Sequence, residues 1–165
     1  MLRVLLAGIA LFALSGCALI PPAPEYVAPP APREFRAMWV ATVANIDWPS
    51  KPGLPVAVLR EEMQRILTTA RQLKLNAVIL QVRPAADAIY PSQFEPWSEY
   101  LSGRQGVAPG DGCDPLAEWV KAAHASGIEL HAWFNPYRAR HASAKSPLAA
   151  QHVANTHPQI VKTYG

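Results

Sequence analysis

The chain has 165 residues, half of them apolar and 16% charged, a balance that supports a folded core and excludes the polar, charge-rich range of disorder. Its net charge of +3 comes without a Lys/Arg run or an interleaved aromatic stripe, which argues against nucleic acid as a partner.

Residues 1–17 read as a secretory signal. Arg3 supplies the positive start, residues 4–14 the apolar stretch, and Leu14-Ser15-Gly16-Cys17 a small-residue cleavage site. The apolar stretch falls short of the ~20 residues that span a bilayer. Leu-Ser-Gly-Cys resembles the bacterial lipobox, which implies that Cys17 is acylated and becomes the mature N-terminus, holding the chain to a membrane. Ala18 after the cysteine points to the outer membrane and its periplasmic face. Cys113, the other of two cysteines, is then left without a partner, so a disulfide framework is excluded. It sits in the turn-rich Pro109-Gly110-Asp111-Gly112-Cys113-Asp114 and reads as an incidental loop residue. Residues 18–33 hold many of the 17 prolines and are expected to form an extended linker at ~3.1 Å per residue.

The first expected strand is the mostly apolar run of residues 35–43. A proline-rich loop over residues 45–55 leads to an amphipathic helix over 56–74, with Leu59, Met63, Ile66, Leu67, Ala70 and Leu73 on one stripe and Glu61 placed to pair Arg65. Residues 75–82 are near-continuously apolar, the habit of a strand buried on both faces of a parallel sheet. After a long loop over 83–113, Asp114 caps a helix with Pro115 at its first position and Gly127 past its end, and residues 128–134 read as a third buried strand. A short helix is expected within residues 147–155 and a turn over 159–165. Strand, helix, strand, helix, strand predicts an α/β fold, either an incomplete (β/α)8 barrel or a smaller open sheet with an unpaired edge after strand three.

In such folds ligands gather at the carboxyl ends of the strands. Asn45, Asp47 and Trp48 follow strand one. Strand two runs into Gln81, Arg83 and Asp87, and strand three carries His131, Trp133 and Asn135, followed by Tyr137 and Arg138. Alternation places Gln81 with Arg83, and His131 with Trp133 and Asn135, on common faces. Trp48, Tyr90, Trp97, Tyr100, Trp133 and Tyr137 add aromatic rings at that end. Rings beside amide, guanidinium and imidazole groups suit a carbohydrate, whose ring faces are apolar and whose hydroxyls need hydrogen bonds. Glycoside hydrolysis calls for two carboxylates, and the candidates are Asp47, Asp87, Glu95 and Glu99. Asp87 reads equally as the ion-pair partner of Arg83, and Glu95 and Glu99 as solvated loop charges. No pair is assigned, so the catalytic residues stay unknown. The five histidines show no HExxH-type spacing, and neither a metal nor another cofactor is expected.

Phe35-Arg36-Ala37-Met38-Trp39-Val40-Ala41-Thr42-Val43, Asp47-Trp48-Pro49, the Gln-Val-Arg-Pro and Asp-Ala-Ile-Tyr-Pro-Ser runs within residues 76–92, Pro96-Trp97-Ser98, Leu101-Ser102-Gly103 and His131-Ala132-Trp133-Phe134-Asn135-Pro136-Tyr137-Arg138 together resemble the glycosyl-hydrolase-like 10 family. The resemblance implies the N-terminal part of a (β/α)8 TIM barrel over residues 34–165, incomplete in this chain, in a cell-envelope enzyme that cleaves glycosidic bonds. Cell-wall glycan, specifically peptidoglycan strands, is the implied partner. The family's Asp-rich segment at the end of strand four, expected to carry catalytic carboxylates, is absent here. Arg83, Asp87, Tyr90, Trp97, His131, Trp133, Asn135 and Arg138 are the implied substrate-binding residues. The alternative is a non-catalytic carbohydrate-binding envelope lipoprotein.

Overall fold

The computed structural model describes residues 34–164. The expected signal, the Cys17 lipidation site and the proline-rich linker lie outside these residues. Among the described residues no helix is long and apolar enough to cross a membrane.

Three parallel strands, β1 (Ala37–Val40), β2 (Ala77–Arg83) and β3 (Glu129–Phe134), lie side by side in the order β1-β2-β3. Two long helices make the crossovers, α1 (Val56–Gln72) between the first two strands and α3 (Pro115–Ala125) between the last two. A short α2 (Glu99–Ser102) interrupts the loop after β2, and a one-turn α4 (Val153–Thr156) with a 3-10 turn (Pro158–Ile160) follows β3. The α/β expectation holds as a mixed fold with a small parallel sheet.

One face of the sheet is covered by helices. Val40, Val78, Leu80 and Val82 meet Leu59, Met63, Leu67 and Ala70 from α1 and Trp119 and Ala123 from α3 in a single core. These are the stripe positions of two amphipathic helices, so burial rather than helix propensity sets their orientation. Trp48 and Trp119 meet edge to face at 5.4 Å in this core, and the Trp48 indole N–H donates to Leu59 O at 3.1 Å. Arg60 on α1 pairs with Glu118 on α3, and the expected Glu61–Arg65 pair forms at 2.7 Å. Such exposed pairs contribute little beyond register.

Several boundaries and surfaces differ from the sequence expectation. The first strand is half as long as its apolar run, because Asp47 accepts the Ala41 N–H at 2.7 Å and the chain turns through Ala44 and Asn45, both in the left-handed region. The expected third strand is not buried: Glu129, His131, Ala132 and Phe134 are exposed. Among the described residues no strand pairs its outer edge, and on its helix side Leu130 packs against the core while Ala132 and Phe134 stay exposed. Helix α2 was not expected, although its signature is local, with Ser98 accepting the Tyr100 N–H and Gly103 closing the turn at φ 88°. The expected helix over residues 147–155 reduces to the single turn of α4.

Candidate functional site

The face opposite the helices is open among the described residues. Trp39 pairs in register with Ile79 and Ile79 with His131, while Gln81 pairs with Trp133. Trp39 is 60% exposed and meets Trp133 edge to face at 5.0 Å, with an interplanar angle of 85°. One layer down, Phe35 meets His131 in the same manner at 5.2 Å, and His131 Nε2 lies 3.1 Å from Glu129 Oε2. The open face thus carries two tiers of aromatic groups. Sequence reading missed Trp39, since an apolar strand residue reads as core; its alternation with the buried Val40 was the available signal.

Above the upper tier, one buried amide ties the carboxyl ends of all three strands. Gln81 Oε1 accepts the N–H groups of Thr42 and Val43 at 3.0 and 2.9 Å, and Gln81 Nε2 donates to Asn135 Oδ1. Thr42 Oγ1 returns a bond to Gln81 O at 2.9 Å, and Asn135 N–H donates to Arg83 O at 3.0 Å. Of the expected Trp133–Asn135–His131 grouping, Trp133 stands in register with Gln81 and Asn135 bonds to it, while His131 stands one tier lower beside Phe35.

Arg83 does not share that face with Gln81. A bulge between Gln81 and Arg83 shifts the register so that Arg83 opposes Phe134, whose ring lies 5.5 Å from its guanidinium carbon. Its acid partner is Glu95 rather than Asp87, and its Nε is buried without a partner. Arg138 remains near, donating Nη1 to Pro84 O at 3.5 Å. Tyr90 and Trp97 are half-buried against the helix-side core, and Trp48 is wholly within it. Tyr137, by contrast, is 99% exposed beyond the end of β3.

The carboxylates are occupied. Asp87 is 1% exposed, and its Oδ1 accepts the Ala85 N–H at 3.0 Å. Burial pushes its carboxyl up to about 6, against hydrogen bonds from Ser98, Ala85 and Gln105 that lower it, while the charge of Glu99 adds to the rise. Glu99 is buried and holds two backbone N–H groups of the loop after β3, so neither it nor Glu95 is a solvated loop charge. Cys113 is buried, with its thiol pushed up to about 11 by burial and by Glu118, which suits packing rather than nucleophilic chemistry. Among the described residues no three His, Cys, Asp or Glu side chains gather as metal ligands.

A family model described as Glycosyl hydrolase-like 10 matches residues 34–165. The chain is similar to glycosyl hydrolase YngK of Bacillus subtilis, with 48% identity over 134 residues, covering 81% of this chain and 26% of that protein. It is also similar to glycosyl hydrolase DigH of Escherichia coli K12, with 39% identity over 111 residues, 63% of this chain and 25% of that protein. The chain thus spans about a quarter of the length of these curated relatives. An α-L-fucosidase of Bacteroides thetaiotaomicron overlays 76% of this chain and 32% of its own length at 13% identity and a TM-score of 0.39.

Proposed function

Because the chain belongs to the glycosyl hydrolase-like 10 family over residues 34–165, we propose that it is the substrate-binding part of a lipid-anchored glycoside hydrolase acting on peptidoglycan glycan strands. The observation that carries this reading is the open sheet face, where the Trp39–Trp133 corner stands beneath the Gln81–Asn135 amides. Indole faces suit the apolar side of a sugar ring, and the Gln81 amide, buried and bonded within the protein, fixes Asn135 beside them as the polar group at the rim. In this reading β1, β2 and β3 are the first strands of a (β/α)8 barrel and the open face is its interior. Cys17 carries the lipid, and residues 18–33 hold the barrel off the outer membrane at its periplasmic face.

The expected outcome is that the full-length protein releases new reducing ends from purified glycan strands. The chain itself is expected to be retained on insoluble cell wall, with Trp133→Ala reducing retention about tenfold, the scale of one lost aromatic contact. Normal retention by the variant would remove the site assignment, and absence of reducing ends would remove the enzymatic claim. One observation favours a second reading, a non-catalytic glycan-binding lipoprotein. Asp87 and Glu99 are covered and Glu95 is tied to Arg83, which leaves the described part equipped to hold a sugar and not to cleave one. Retention without reducing ends would select it.

A further inference from the structure

The loop after β3 is fastened by side chains of the loop after β2. Glu99 Oε2 accepts the N–H groups of Lys145 and Ser146 at 2.8 and 2.9 Å. Gln105 donates its own N–H to Ser146 Oγ at 2.9 Å and accepts the Ala149 N–H on Oε1 at 3.0 Å. Tyr100 and Ser143 hydroxyls meet at 3.1 Å. At the far end His152 Nδ1 accepts the Ala154 N–H at 3.1 Å, which leaves Nε2 to donate to Ala139 O at 3.0 Å. The result is a strap over residues 139–152, fastened at several points along its length. Its other end continues into Asn135 and Arg138, the rim of the candidate site.

A narrow cavity of about 10 Å³ lies under the strap, lined by Asp87, Glu99, Tyr100 and Gln105 on one side and Arg140 and His141 on the other. That volume admits no more than about one water, so a charge on Asp87 is poorly hydrated while the strap is down. The carboxylate of Glu99 opposes such a charge, and the guanidinium of Arg140, which lines the same cavity, is bonded to Ser146 O. His141 lies beside Arg140 on that side of the cavity, and burial pushes the Tyr100 phenol up, which keeps it neutral.

We infer that the strap is an acid-tightened latch: ionisation of Asp87 beneath it weakens the closed state, so the rim of the site is held most firmly when Asp87 is protonated. The sign follows from linkage. The closed strap keeps the Asp87 carboxyl at about 6, whereas lifting the strap hydrates it and returns it toward the ordinary 3.8. Opening therefore releases a proton between those values, and the latch loosens as pH rises through that window and levels off above it.

Amide hydrogen exchange, corrected for intrinsic rates, reads this directly at Lys145, Ser146 and Ala149. These amides are expected to exchange faster than those of β2, as a local opening requires, and their opening to be about tenfold more frequent at pH 7 than at pH 5. Asp87→Asn is expected to abolish that difference. Equal opening at both pH values, a pH dependence unchanged in Asp87→Asn, or strap exchange no faster than that of β2 would overturn the latch. Should the variant fail to fold, carbon NMR titration of the Asp87 carboxyl in the unaltered chain decides. A midpoint near 6 that the Lys145 and Ser146 amide shifts follow supports the inference, and a midpoint near 4 overturns it.

Discussion

Gln81 shows most clearly how a single side chain organises the site. Its amide oxygen satisfies two N–H groups at the end of β1 and its amide nitrogen reaches Asn135 beyond β3. Gln81→Leu keeps the volume and strands all three partners, so chemical denaturation is expected to show a loss of ~2–4 kcal/mol, the cost of two donors and one acceptor left unpaired. The sequence already placed Gln81 and Asn135 at the strand ends and grouped His131 with Trp133. It could not reveal that Arg83 turns away, because the bulge between Gln81 and Arg83 arises from pairing with β3 and leaves no mark in local composition. Likewise Asp87 sits four residues from Arg83 in sequence, yet Glu95 takes the pairing once the long loop folds back.

Elements with a local signature were legible. Both crossover helices announced themselves by apolar stripe, and α3 by its caps as well, with Asp114 accepting the Ala117 N–H at 3.1 Å and Gly127 at φ 68° past its end. The strap was not legible, since its fastenings are bonds from side chains to backbone across more than forty residues. One glycine is decisive there. Gly106 has φ 82°, and a Cβ on it would lie 2.9 Å from the Ala149 Cβ. Gly106→Ala is therefore expected to lower the unfolding midpoint, by ~1–3 kcal/mol in stability, through left-handed strain and overpacking together. A midpoint equal to that of the unaltered chain would show that the strap yields freely.

At the scale of the whole molecule the sheet is unequally protected. β2 has a neighbour on each side, whereas β1 and β3 each pair on one side only among the described residues. β3 is further exposed at Glu129, His131, Ala132 and Phe134. Hydrogen exchange of the isolated chain is expected to rank β2 slowest and β3 fastest of the three strands; β3 amides as slow as those of β2 would require a partner along the β3 edge. Sequence pattern led to the parallel α/β class because near-continuous apolar strands alternate with amphipathic helices. It overestimated the burial of β3, because apolar composition states what a strand is able to bury and not what is present to bury it.

The two edge-to-face indole pairs stand on opposite sides of the sheet, one solvent-facing and one sealed among the helices. Close, nearly perpendicular indoles couple their electronic transitions, so each pair is an intrinsic chromophore with its own far-ultraviolet dichroism. The molecule thus carries two optical reporters without any label. Under the proposed function, occupancy of the open face registers on Trp39 and Trp133, while loss of the core registers on Trp48 and Trp119. A spectroscopist could tell a filled site from a melting fold in one cuvette.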